Sequence, residues 1–180
     1  METLERIKQR RSIRKFKPEQ IPHEIVEQIV EAAAYAPSWK NTQATRYLIV
    51  EDKALIEKIS AQGMMDFSFN QKTLESAAAL VVVCSIANRS GYERDGSYST
   101  SKKDKWEMFD AGIASQTFML AASELGIGTV LMGIFDEKEI HRILALEETY
   151  HVSALIAMGY PDEQPQPPKR KSAVELVQYR

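Results

Sequence analysis

Between positions 10 and 14 the chain reads Arg10-Arg11-Ser12-Ile13-Arg14, three guanidiniums and a hydroxyl in five residues. In an extended segment alternate residues share a face, so Arg10, Ser12 and Arg14 would point together. Such a set can fork a phosphate, because the planar guanidinium matches phosphate oxygens with paired hydrogen bonds. Each charge-assisted bond is worth about 1.5–3 kcal/mol net. The same composition also suits a solvated basic face. A second segment, Ala36-Pro37-Ser38-Trp39-Lys40-Asn41-Thr42-Gln43, offers donors and acceptors able to hold a polyol or a heterocycle edge. By itself it is equally a plain polar loop.

Two further stretches matter. Gly126-Ile127-Gly128-Thr129-Val130-Leu131-Met132-Gly133 places its first glycines after a helix and before a strand. A dinucleotide fingerprint needs the reverse order, so Gly126 and Gly128 are expected to end the helix. Gly133 lies past the strand and could let a flat ring approach the backbone. Near the C-terminus, Pro161-Asp162-Glu163 leads into Pro165-Gln166-Pro167-Pro168-Lys169-Arg170-Lys171. This is either a disordered basic tail or a stiff arm carrying Lys169 and Arg170 to the anion that Arg10 would bind.

Other chemistries find no support. His23, His141 and His151 are far apart and lack metal-ligand spacing. Neither a GxSxG elbow nor a phosphate loop of the Walker type occurs. The lone Cys84 sits in the apolar run Leu80-Val81-Val82-Val83-Cys84, which suggests a buried structural thiol and a reducing compartment. Net charge is -2, with 44% hydrophobic and 27% charged residues, giving no global pull toward nucleic acid or membrane. No apolar stretch is long enough for a membrane helix and no secretory signal is evident, so a cytoplasmic location is the default expectation.

The elements that must position these residues follow from periodicity and punctuation. Helices are expected over Thr3–Gln9, with Thr3 as N-cap, and over His23–Tyr35, Lys53–Ala61, Trp106–Leu125 and Glu137–Leu144. Asp66–Ser76 is less defined, with helix as one option. Strands are expected over Tyr47–Val50, Ala79–Ser85, Thr129–Met132 and Val152–Gly159. Residues 88–105 form a polar loop or cover, residues 161–168 are irregular because of four prolines, and Val174–Tyr179 could be extended. The helix from Trp106 carries Phe109, Ile113, Phe118, Met119 and Ala122 on more than one face and should be mostly buried. Helices and strands alternate irregularly, which favours one α+β domain over residues 1–180.

Taken in order, these segments resemble the FMN-dependent nitroreductase family. The resemblance rests on Arg10 to Arg14, Ala36-Pro37-Ser38, Asn41-x-Gln43, Gly126-x-Gly128-Thr129, Met132-Gly133, Met158-Gly159-Tyr160-Pro161-Asp162-Glu163 and Lys169-Arg170-Lys171. It implies an α+β fold with a mixed or antiparallel central sheet surrounded by helices, in an intertwined homodimer. FMN would lie at the subunit interface, and residues 161–180 would form a C-terminal extension. Arg10, Ser12, Arg14 and Arg170 match positions that grip the phosphate, ribityl chain and pyrimidine edge. Arg11 shares the motif and would contribute mainly backbone, and Lys169 accompanies Arg170. Ser38 and Asn41 match positions that reach the flavin from the other subunit. Asn70 resembles an asparagine near the pyrimidine ring, and Leu131, Met132 and Gly133 match the segment beside the isoalloxazine. No side chain need act as acid or base, since flavin N5 carries the redox step.

The activity so implied is ping-pong transfer from NADH or NADPH to small acceptors such as nitroaromatics or quinones. Alternatives are a reductive dehalogenase on the same scaffold, a non-catalytic flavin sensor or store, and a small nucleic-acid binder, the last disfavoured by the acidic net charge. The sequence departs from the family where Gln43 is followed by Ala44-Thr45 instead of Pro-Trp, and where Trp39 follows Ser38. Residues 88–105 carry no motif; the resemblance makes them a cover that selects substrates.

Overall fold

The computed structural model describes residues 2–180. Four strands form the central sheet in the order β1-β2-β4-β3. They span Thr45–Val50, Ala79–Ile86, Gly128–Met132 and Tyr150–Gly159 for β1 to β4. All three pairings are antiparallel. Around them lie α1 (Thr3–Gln9), α2 (His23–Ala33), α3 (Lys53–Gly63), α4 (Ser68–Ser76), α5 (Lys105–Glu124), α6 (Glu137–Leu144) and a short α7 (Ala173–Leu176).

β2 explains the layering. Leu80, Val82 and Cys84 face a cluster with Ile56 and Ile59 of α3, Leu74 of α4 and Ile140 of α6. Val81 and Val83 face the opposite cluster, with Val26 and Ile29 of α2 and Phe118, Met119 and Ala122 of α5. Period-two alternation thus feeds both cores, which is why the strand reads as one apolar run. Each large aliphatic side chain so buried contributes about 1.5–3 kcal/mol. Cys84 is fully buried, and burial pushes its thiol up to about 12. No helix is long and apolar enough to cross a membrane among the described residues.

Several expectations need correction. Thr3 is not the N-cap of α1. The carbonyl of Glu2 accepts from the amides of Glu5 and Arg6, so the cap lies one residue earlier and Thr3 lies inside the first turn. Gly126 does end α5, with φ of 79°, but Gly128 is the first residue of β3. Residues 173–176 coil into a helical turn where an extended segment was expected, because the Glu175 carboxylate accepts from both the amide and the hydroxyl of Ser172. On α5, Phe118, Met119 and Ala122 are buried as expected, whereas Met108 and Phe109 are 58% and 57% exposed. Apolar periodicity counts a side chain as core without knowing whether an element covers it. Residues 88–105 are irregular, as expected, yet anchored. Ser90 is fully buried, and Tyr92 and Tyr98 form an isolated bridge.

Candidate functional site

The chain leaves α1 at Arg10 with φ of -54° and ψ of 131°, which opens it into an extended segment. Ser12 then forms a parallel bridge with Thr129, and the Ile13 amide donates to the Thr129 carbonyl at 2.9 Å. Farther on, Phe16 bridges Pro161 antiparallel, and the Lys17 amide donates to Tyr160 at 2.9 Å. Two apolar plugs fix this path. Gly128 and Gly159 face each other across β3 and β4. A Cβ on Gly128 would lie 2.9 Å from the Ile13 side chain, and one on Gly159 would lie 2.8 Å from Phe16. Glycine at both positions is therefore a requirement of close approach, and Ile13 and Phe16 are buried in the space so left. Burying these two leaves Arg10, Arg11, Ser12 and Arg14 partly or fully accessible.

Arg10 and Arg11 line a cleft of about 310 Å³ together with Arg170, Pro167 and Pro168. The proline-rich tail thus returns to the N-terminal basic segment, the arrangement that the stiff-arm reading of the tail requires. Burial, then the charges of Arg11 and Arg170, lower the Arg10 guanidinium from its ordinary value. Among the described residues no ion pair engages Arg10, Arg11 or Arg170. Arg11 donates to the carbonyls of Lys8 and Arg10 at 2.6 and 2.9 Å. Its guanidinium is thus turned onto its own backbone, while the residue also lines the cleft. Lys169 does not line this cleft.

Arg14 stands apart from that cleft and is exposed. The Glu163 carboxylate accepts from its backbone amide, and its guanidinium reaches the Ser12 carbonyl at 3.5 Å. On β3, Val130 and Met132 point into the core while Leu131 is 41% exposed. Met132 can therefore offer a ligand only its backbone. An added Cβ on Gly133 would meet nothing within 4 Å, so the backbone there is open. Asn70 donates its amide to the Ile134 carbonyl at 3.1 Å, which places it beside that same open segment.

The Ser38–Gln43 loop is elsewhere. It enters β1, at the sheet edge opposite β3. Strands are spaced about 4.8 Å apart, so β1 and β3 are separated by roughly 14 Å of sheet. Lys40, Asn41 and Gln43 all have positive φ, at 44°, 55° and 48°. Such conformations are unfavourable for residues with a Cβ and persist only where surroundings impose them. Here the Ser38 hydroxyl accepts from the Gln43 amide at 3.0 Å, and Asn41 is exposed. Trp39 packs on Trp106 with ring centroids 4.7 Å apart. Asp110 of α5, only 4% exposed, accepts from the Trp39 amide at 2.9 Å and from the Ser90 hydroxyl at 2.6 Å. Sequence reasoning passed over Asp110. The available signal was an acid in phase with the buried Ala114, Phe118 and Ala122.

The candidate residues thus fall into two separate groups. Arg10, Arg11, Ser12, Arg14, Asn70, Leu131 to Gly133 and Arg170 gather around the β3 side, while Ser38 and Asn41 lie at the β1 side. No cluster of metal-ligating side chains occurs among the described residues.

Comparison with known proteins places this arrangement. A profile of the nitroreductase family matches residues 7–160. A protein of Archaeoglobus fulgidus, named for NADH dehydrogenase/NAD(P)H nitroreductase activity, is 33% identical over 167 residues, covering 91% of this chain and 87% of its own. An FMN reductase [NAD(P)H] of Bacillus subtilis is 27% identical, covering 91% of this chain and 67% of its own. A structure of a nitroreductase-type protein from Desulfovibrio desulfuricans in complex with FMN superimposes with a TM-score of 0.79 at 26% identity, covering 100% of this chain and 97% of that one. With the family profile spanning most of its length and a relative this similar over nearly all of it, the chain belongs to the nitroreductase family.

Proposed function

We propose that the chain is an FMN-dependent NAD(P)H oxidoreductase, working as a homodimer and reducing nitroaromatics, quinones or related small acceptors. One observation carries the reading: Arg10, Arg11 and Arg170 converge on one cleft whose lining, among the described residues, holds no carboxylate. Like charges held together in this way call for an anion, and a phosphate dianion matches guanidinium geometry. The exposed Leu131 and the open backbone at Gly133 leave room for a flat ring beside that anchor. The names of the relatives support the same cofactor and donors.

When bound there, FMN supplies hydride transfer through N5 between the nicotinamide donor and the acceptor. The chain's own residues bind, orient and bias. Arg10 and Arg170 grip the phosphate, with Arg11 adding charge and Lys169 lying nearby in sequence. Ser12 offers its hydroxyl to the ribityl chain. Arg14, held at its backbone by Glu163, places positive charge at the pyrimidine edge, where it favours the reduced cofactor. Asn70 bounds the same edge, and the backbone of Leu131, Met132 and Gly133 lines the ring. Ser38 and Asn41 serve the site of the second copy, since roughly 14 Å of sheet separates them from the β3 side of their own chain.

The test is direct. Freshly purified protein should show flavin absorbance, elute as a dimer, and bleach anaerobically with NADH or NADPH. A colourless protein that ignores added FMN would end the reading. Flavin that binds but stays oxidised with both donors would point instead to a non-catalytic flavin carrier.

A further inference from the structure

Asp110 is a buried acid that the proposed chemistry does not use, and two separate chain segments meet on it. From the Ser38–Gln43 loop comes the Trp39 amide. From the 88–105 segment comes the Ser90 hydroxyl, which is also 3.1 Å from the Thr42 hydroxyl. Further ties join the same segments. Lys40 pairs with Glu93, Trp39 packs on Trp106, and the Trp106 indole donates to the Thr100 hydroxyl at 2.9 Å. The loop so held is the one with left-handed backbone at Lys40, Asn41 and Gln43. Released, those residues would relax toward negative φ and carry Ser38 and Asn41 with them.

We propose that Asp110 is a positioning residue: it clasps the Ser38–Gln43 loop to the 88–105 segment in the shape that presents Asn41 to the flavin of the second copy. This rests on the reading that Asn41 reaches that flavin. It follows that the 88–105 segment and the cofactor contact made by Ser38 and Asn41 are one mechanical unit. Changes in residues 88–105 would then alter flavin affinity as well as acceptor choice.

A double-mutant cycle on the full-length dimer tests the clasp, reading FMN affinity by fluorescence and apoprotein melting in parallel. Asp110→Ala should weaken FMN about tenfold, the scale of one charge-assisted hydrogen bond. Asp110→Asn keeps an oxygen acceptor for both donors and should stay within about threefold of the parent, a loss far smaller than a broken bond gives. Asn41→Ala should weaken FMN in the parent yet add nothing to Asp110→Ala, because the misplaced loop has already withdrawn it. Additive losses would overturn the clasp, as would Asp110→Asn behaving like alanine. If Asp110→Ala yields no folded dimer, Ser90→Ala removes one of the two donors and enters the same cycle. Loss of FMN with Asn41→Ala but none with Asp110→Ala sinks the clasp alone. FMN affinity untouched by Asn41→Ala removes the underlying reading, and the clasp with it.

Discussion

At the β3 side of the sheet, three arginines share a cleft lined by no carboxylate among the described residues, and the segment that carries Arg10 and Arg11 is pinned by apolar plugs, Ile13 and Phe16, seated over glycines. At the β1 side the order is reversed. A carboxyl group, Asp110, is buried among donors, and the backbone it holds is strained. In the first region the packing is settled and the charge is not. In the second the buried carboxylate is satisfied and the torsions are not. Both kinds of tension are tolerated in working sites, but they should respond to different perturbations. An electrostatic surplus calls for a ligand, whereas a strained loop calls for a brace.

The largest effect that would break this contrast is at the plug. Phe16→Ala should destabilise the fold by about 3 kcal/mol, the lower end for a buried aromatic, and lower the melting temperature accordingly. If stability stays the same, the basic segment is not held by its apolar residues. Next comes Arg10→Ala. Losing one charge-assisted contact should weaken FMN by about 10- to 100-fold. Apoprotein melting should hold steady or rise, because like-charge repulsion is relieved. A drop in apoprotein stability would mean that Arg10 is structural.

Ionic strength separates the two regions more gently. Raising salt from about 0.1 to 1 M shortens the screening length from about 10 to about 3 Å, so FMN should bind several-fold more weakly. Amide exchange at Trp39 should not change, since its bond to Asp110 is part-buried. The smallest effect concerns acid. The hydrogen bond from Lys40, then that from Ser99, holds the Glu93 carboxyl below its ordinary value of 4.5. A carboxyl lowered in the folded state contributes stability above that ordinary value and loses it as pH falls through the lowered one. Below about pH 4.5 the β1-side loop should therefore exchange faster, while the arginines stay charged. Lys40→Met should remove most of that pH dependence, measured by exchange at Asn41 and Thr42.

Much of this was legible in the chain. α6 runs over the expected residues because Asp136 caps it, accepting from the Glu139 amide, and its apolar phase is unbroken. The β2 run could be read as doubly buried, and the Arg10 motif with the returning Arg170 arm was visible as composition. One group of failures shares a cause. The Gly128–Gly159 pairing, the seating of Phe16 and the Asp110 clasp all join residues distant in sequence, so no local pattern encodes them. Thr3 and residues 174–176 failed for the opposite reason. Their outcomes turn on a pair of local hydrogen bonds, accepted by the Glu2 carbonyl or the Glu175 carboxylate, and propensity does not rank such bonds finely. Exposed Phe109 shows a third limit, for apolar character alone does not say what will cover a surface.

The separation of β1 from β3 has a genetic corollary. If each pocket draws its arginines from one polypeptide and its asparagine from the other, lesions in the two can be sorted onto different chains. Coexpressing an Arg10-deficient allele with an Asn41-deficient allele would yield mixed pairs in which one pocket carries both defects and its sibling carries none. Two individually crippled genes would then restore half of the pockets in every mixed pair.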